Sequence, residues 1–368
     1  VVDEVEIGVG KTGRRAYGLG SVAVVPSRRT RDKDDVDLSW ELDAYRFALP
    51  FMTEATDAVV SMTTALEISA LGGLAVLDLE GLWTRYEDPS PLLAALSSLP
   101  ANALRARLAE LHRAPIQRDL LVARIRELKD AGVVTCGALR PRHARELAPS
   151  LVEAELDLLV IRGTVVSAEH VSRGGDALNL KQFIRELDLP VVVGGCVSYP
   201  AALHLMRTGA VGVLVGVGAG AGSTTEEVLG LGVPLATAIA DAAGARTRHL
   251  EETGVYVQVI AGGDLRRGGD LIKAIACGAD AVVLGSALAA HPGAPAGGRY
   301  WLREQLHEDL PRGECRVVEP VGTLAEILRG PAPRGDGEAN LFGALRSAMA
   351  ACGYASVREL HRAEVVVG

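Results

Sequence analysis

Gly209-Ala210-Val211-Gly212-Val213-Leu214-Val215-Gly216-Val217-Gly218-Ala219-Gly220-Ala221-Gly222-Ser223-Thr224-Thr225 is the stretch on which the reading of the chain turns. Its first half, Val211 to Val217, is an apolar β-branched run, the composition of a strand buried on both faces. Its second half alternates glycine with alanine, and glycine at that density lets a backbone turn sharply and come close to a ligand. Ser223-Thr224-Thr225-Glu226-Glu227 then pairs hydroxyls with glutamates three residues on, which predicts a capping box at a helix start. A buried strand ending in a bare loop that opens a helix is where α/β proteins place ligands. A tight turn that simply needed small residues fits the same letters.

Outward from this run, strand patterns recur at Phe47–Thr53, Leu74–Leu79, Thr135–Leu139, Asp157–Arg162, Pro190–Gly194, Val211–Val217, Val255–Ala261 and Ala281–Leu284, each followed by helical periodicity. Eight alternations predict an α/β fold of the (β/α)8 TIM-barrel type rather than an open sheet. The boundaries expected are an N-terminal arm over 1–45, the barrel over 46–290 and a helical C-terminal extension over 291–368. Asn179 is placed to cap a helix over Leu180–Leu187, and Asp270 one over Leu271–Cys277. Between Leu79 and Thr135 the chain makes a long excursion predicted to hold two or three helices. The charge run Arg28–Asp35 reads as a solvated loop, and Gly330–Gly337 as a flexible link.

Composition narrows the function. Among 368 residues, 48% are hydrophobic, 4% aromatic and 42 are glycine, which suits a parallel-sheet protein. A formal charge of −8 argues against nucleic acid as a partner. The five cysteines form no CxxC pair and the eight histidines no metal-ligand spacing, so reduced thiols in the cytoplasm are expected. Neither a signal peptide nor an 18-residue apolar run is visible, so no membrane is expected.

In barrels of this type phosphates bind at the C-terminal strand ends, often after the seventh and eighth strands. The seventh run ends in Ala261-Gly262-Gly263-Asp264 and the eighth in Gly285-Ser286. With the loop after the sixth, three neighbouring strands share one design, backbone N–H groups offered to an anion. The glycine run fits neither GxGxxG nor a P-loop.

At these residues the chain resembles the IMP dehydrogenase/GMP reductase family, in particular its IMP dehydrogenase-related branch without CBS domains. Gly268-Gly269-Asp270 through Gly285-Ser286, Leu71-Gly72-Gly73-Leu74 and Pro190–Gly195 carry the likeness. The resemblance implies an oxidoreductase of purine (guanine) nucleotide metabolism that binds a purine 5′-monophosphate, IMP or GMP, with NAD or NADP. It also implies a homotetramer and a monovalent cation, potassium, on loop carbonyls at Gly218 and Gly220. The family's loop Gly-Pro-Gly-Ser-Ile-Cys-Thr-Thr falls on Gly218–Thr225. Its nucleophilic cysteine thus lands on Ser223, its phosphate-contacting serine on Ala221, and its ammonia-handling threonine on Thr225. By the same carry-over Gly220, Ala221, Gly222, Gly263, Gly285 and Ser286 hold the phosphate. The ribose-binding aspartate lands on Gly262, with Asp264 nearby. Arg162 replaces the aspartate that meets the dinucleotide, beside Gly163 and Gly194.

The departures matter chemically. A thiolate attacks purine C2, whereas a serine hydroxyl needs a base to take its proton. Glu226 and Glu227 stand nearest in sequence, equally suited to capping a helix, and Cys196 lies on the correct barrel face. The family's mobile Arg-Tyr flap, which activates water in the dehydrogenase, is not found, which favours GMP reduction over IMP oxidation. The rival reading is a nucleotide-binding regulatory protein that kept the barrel and lost turnover.

Overall fold

The computed structural model describes residues 4–170, 178–307 and 309–368. Its centre is an eight-stranded parallel sheet of β1 (Phe51–Thr53), β2 (Leu77–Asp78), β3 (Cys136–Leu139), β4 (Leu158–Arg162), β5 (Val191–Cys196), β6 (Gly212–Val215), β7 (Gln258–Gly262) and β8 (Ala281–Leu284). From β2 to β8 each strand pairs with its sequence neighbour, and β8 returns to β1 with Val282 opposite Phe51. A parallel bridge between Met52 and Leu74 joins the two edges. The expected TIM-barrel fold is therefore present.

The strands are buried on both faces. Along β4, Leu158 and Val160 point into the barrel interior, while Leu159 and Ile161 join the outer core beneath the helices. Small residues alone do not fill that interior. A hairpin of Trp40–Leu42 with Tyr45–Phe47 enters it, and Trp40, Leu42 and Phe47 pack against Val160, Val192 and Ile260. Phe47 thus belongs to this hairpin and not to the first barrel strand. Pro50, which has no N–H to donate to a ladder, marks the break before β1.

Several expected boundaries shift. The sixth strand stops at Val215, two residues early, because Gly216 turns at φ +139° against the Gly262 carbonyl. Asn179 does cap Leu180–Leu187, its side chain accepting from Gln182 N. Asp270 does not sit at a cap. That helix begins at Gly268, and the Asp270 carboxylate accepts from Arg267 N at 3.0 Å. The excursion after β2 holds three helices, Ser90–Ser97, Ala101–Leu111 and Arg118–Asp130. Near the two ends of the chain, Val22–Val24 pairs with Val365–Val367, and the charge run Arg28–Asp35 is exposed.

Beyond β8 the chain first crosses the barrel mouth. Arg299–Tyr300 pairs with Arg316–Val317, and between them Trp301 and Arg303 lie over the C-terminal strand ends, bonded to Thr56 and Asp78. Only then does it reach the helices Leu324–Arg329 and Leu341–Ala351.

Candidate functional site

The turns after β6, β7 and β8 converge. Gly216 leaves room for the Gly262 carbonyl, where any Cβ would collide. Asp264 N donates to the Ala219 carbonyl at 2.7 Å, and Ser286 Oγ donates to Asp264 Oδ1 at 2.7 Å. The residues expected to hold a phosphate are thus gathered at one place. The protein's own groups also occupy that place. A carboxylate already sits on the Ser286 hydroxyl, Tyr300 packs its hydroxyl over Gly285, and Leu302 Cδ1 lies 2.8 Å from where a Gly220 Cβ would stand. Gly222 packs on the Glu314 backbone, its carbonyl accepting from Glu314 N at 2.7 Å, and Ala221 is buried. The hollow that remains measures about 110 Å³ and is bordered by Gly218, Gly220, Ser223, Thr225, Leu302 and Glu304. A small-molecule pocket is usually about 300–1,000 Å³.

Ser223 lies in this hollow. Its Oγ is 3.1 Å from Thr225 Oγ1, and Thr225 N donates to it at 3.4 Å. The predicted capping box does not form. The helix is Thr225–Leu229, its N-cap Thr224 makes no side-chain bond, and Ser223 turns back on Thr225 instead. Glu226 and Glu227 are exposed on that helix. Among the described residues no carboxylate or imidazole hydrogen-bonds Ser223 Oγ. Cys196 does not stand in for the missing thiol. It is buried at the end of β5, bonds to the Leu214 carbonyl, and burial pushes its pKa up to about 12.

Arg162, Gly163 and Gly194 come together through the β4–β5 ladder, where Gly163 N donates to the Gly194 carbonyl at 2.9 Å. The Arg162 guanidinium is ion-paired with Glu54 and donates to the Ala55 carbonyl. Against the other face of Gly163 lies a second, larger cavity of about 860 Å³, between the ends of β3 and β4.

Sequence reasoning missed the ionic cluster beside that cavity. Asp78 ends β2 and Glu80 follows it. Arg303, reaching down from the crossing segment, lies 3.1 Å from Asp78 and 3.5 Å from Glu80. Arg140 holds Glu80 at 2.8 Å and His143 bonds it from the same side. Burial opposes the charge on Glu80, but His143, Arg303 and Arg140 together hold its pKa down at about 2. Deeper still, burial and the neighbouring Asp78 push Asp57 up to about 7. Asp57 Oδ2 accepts from Leu82 N, while Oδ1 is buried without a partner. His112, 3.8 Å away, is pushed down to about 3 by burial and by Arg303, so it is neutral. The signal was available, since Asp78, Arg140 and Arg162 all stand at strand ends, on the face where barrels carry chemistry. Among the described residues no group of three or more His, Cys, Asp or Glu side chains is placed to hold a metal ion, and no helix is long and apolar enough to cross a membrane.

Over residues 16–304 the chain matches the family described as IMP dehydrogenase / GMP reductase domain. A protein named uncharacterized oxidoreductase in Mycolicibacterium smegmatis is 49% identical over 375 residues, covering 99% of this chain and 100% of the relative. One of the same description in Mycobacterium tuberculosis is 50% identical with the same coverage. The inosine-5′-monophosphate dehydrogenase of Methanocaldococcus jannaschii is 38% identical over 153 residues, 42% of this chain and 29% of that enzyme. Among solved structures, an IMP dehydrogenase/GMP reductase-like protein from Corynebacterium glutamicum superposes with a TM-score of 0.93 at 44% identity, covering 100% of this chain and 98% of the other.

Proposed function

The chain belongs to the IMP dehydrogenase/GMP reductase family, and from that premise we propose that it is a cytoplasmic purine-nucleotide oxidoreductase working on IMP or GMP with NAD or NADP. The observation that carries the reading is the convergence of the turns after β6, β7 and β8 on Ser223. Backbone N–H groups of Gly220, Ala221, Gly222, Gly263 and Gly285, with the Ser286 hydroxyl, take the 5′-phosphate. Asp264 leaves Ser286 and turns to the ribose hydroxyls. Leu302 swings off Gly220, because the hollow in its present form is too small for a nucleotide.

Ser223 faces purine C2, oriented by the Thr225 hydroxyl 3.1 Å from its Oγ. Arg162, Gly163 and Gly194 would hold a nicotinamide cofactor, which would supply the hydride chemistry at C2. The guanidinium of Arg162 and the apolar wall beyond Gly163 suit a ligand of mixed charge and ring character. The Gly218 and Gly220 carbonyls would hold the monovalent cation, and the Gly220 carbonyl already accepts from Ser223 N at 3.0 Å. The tetrameric state follows the family.

The test mixes the purified protein with GMP and NAD(P)H, or IMP and NAD(P)+, and follows absorbance of the reduced cofactor. Slow turnover is expected, abolished in Ser223→Ala and retained in Ser223→Cys. A second reading, a nucleotide-binding protein without turnover, is favoured by the lack, among the described residues, of a base bonded to Ser223 and by the buried Cys196 thiol. It predicts calorimetric binding of IMP or GMP with no change in absorbance.

A further inference from the structure

We propose that the hollow at the foot of β6 and β7, at the opposite end of the barrel from Ser223, binds a small neutral heteroaromatic molecule bearing an amide in or on its ring. The hollow measures about 290 Å³. It lies where the helices Tyr199–Met206 and Leu235–Thr253 end, against the turn at Asp43 between Trp40–Leu42 and Tyr45–Phe47. Two polar side chains line it that the fold does not use. His249 is only 5% exposed, and its Nδ1 is buried with no partner. Gln258, the first residue of β7, is 7% exposed, and among the described residues its side-chain amide makes no hydrogen bond. Polar groups buried to this degree are normally paired, so two unpaired ones on one hollow point to a ligand that pairs them.

The chemistry of the wall selects the ligand. Burial pushes the His249 pKa below the ordinary histidine value, so at neutral pH the ring offers one N–H and one lone pair. The Gln258 amide likewise offers a donor and an acceptor. Their complement is a group that both donates and accepts, which an amide or a ring lactam does. Charge decides against an anion. The cation of the wall, Arg207, is already held by Glu252 at 2.7 Å, whereas the exposed Asp43 carboxylate has no cationic partner among the described residues. Both helices also turn their negative, C-terminal ends towards the hollow. Size decides against a nucleotide, since the volume stands at the lower edge of the about 300–1,000 Å³ usual for small-molecule pockets. Met206, Val211 and Val255 supply apolar surface for the faces of one flat ring system.

The site rests on no part of the Ser223 reading and stands whether or not that turn catalyses anything. Such a ring has two chemical sources, a free purine base or a free pyridine carboxamide. The probes are therefore hypoxanthine and nicotinamide, with nicotinate as the anionic control. The experiment is calorimetry of the whole chain, repeated with saturating IMP and NAD+ present. At least one of the two amides should bind about tenfold more tightly than nicotinate, and equally well with IMP and NAD+ present. Hypoxanthine binding tighter assigns the site to a purine base, nicotinamide binding tighter to a pyridine carboxamide. Gln258→Met and His249→Phe should each weaken that binding about tenfold. Because Gln258→Met removes an unpaired polar group from a buried place, it should melt no lower than wild type, which separates lost recognition from lost structure. His249→Phe keeps the test valid if Gln258→Met fails to fold. The proposal is overturned if neither amide binds more tightly than nicotinate, or if IMP or NAD+ displaces them. It is equally overturned if either variant, melting as wild type does, binds them unchanged.

Discussion

Two hollows open on the same end of the barrel, and they are built on opposite principles. After β6, β7 and β8 the chain strips away side chains, and after β3 and β4 it crowds them with charge. The glycine-rich side looks in sequence like the ligand site, yet most of the space its glycines vacate is taken by the protein. The Gly262 carbonyl lies against Gly216, the Tyr300 hydroxyl against Gly285, Leu302 against Gly220 and the Glu314 carbonyl against Gly222. The arginine side keeps a cavity roughly eight times larger, about 860 against 110 Å³. A missing Cβ therefore marks close approach without saying whether a ligand or the fold itself approaches.

Gly216→Ala strains the glycine side most severely. The residue combines φ +139° with a carbonyl where the Cβ would go, so both backbone strain and overlap oppose the change. We expect a loss of about 4 kcal/mol or more, read as a collapse of the urea midpoint. A midpoint within error of wild type would mean the β6 and β7 turns are not locked together. Next in size is Arg303→Met, which leaves Asp78 and Glu80 buried with one cation fewer. Breaking a buried pair typically costs about 3–5 kcal/mol. The loss shrinks as pH falls, because carboxylates deprived of Arg303 protonate more readily. Denaturant titrations at pH 8 and pH 4 check both parts, and a pH-independent loss would point to packing alone.

The fold is legible because its signal is repeated. Eight apolar runs with helices between them leave few alternatives, and the misplacement of Phe47 comes from hairpin and barrel strand being separated only by Ala48-Leu49-Pro50. The site is legible in part. Ser223, Gly263, Asp264 and Ser286 stand out in sequence and do lie together, because glycine clusters at strand ends are local patterns. What fills the space between them is not legible. Tyr300, Leu302 and Arg303 are about eighty residues from Ser223 in sequence, and nothing local says that their segment crosses the mouth. In the Asp57–Asp78–Glu80–Arg303 cluster the strand-end residues are legible one by one, but their meeting is not, because Arg303 comes from a distant part of the chain.

Leu302→Ala opens the glycine side, since it removes the side chain that packs on Gly220. Leu302 is 7% exposed, so truncation is expected to cost about 2–3 kcal/mol of stability. If the turns after β6, β7 and β8 retain a nucleotide-shaped face beneath it, the variant binds IMP about tenfold more tightly than wild type by calorimetry. Unchanged affinity would show that Asp264 on Ser286, rather than Leu302, closes the turn.

Asp57→Asn tests the arginine side by pH, with the smallest effect. Burial and Asp78 raise the Asp57 pKa from 3.8 to about 7 in the folded protein. A carboxyl raised on folding binds its proton more tightly in the native state. Its contribution is therefore full below pH 3.8 and lost as pH climbs through 7. Glu80 runs the other way, from 4.5 down to about 2, so its contribution is full above pH 4.5 and lost below it. The two windows barely overlap. The amide introduced by the substitution keeps an oxygen for Leu82 N and carries no charge, so the variant should gain about 1–3 kcal/mol over wild type at pH 8. That advantage should fade towards pH 4, with Glu80 governing the loss below it in both proteins. Parallel stability curves between pH 4 and 8 would mean that Asp57 is ionised throughout, held by Arg303 and Arg85 as firmly as Glu80 is held by its own arginines.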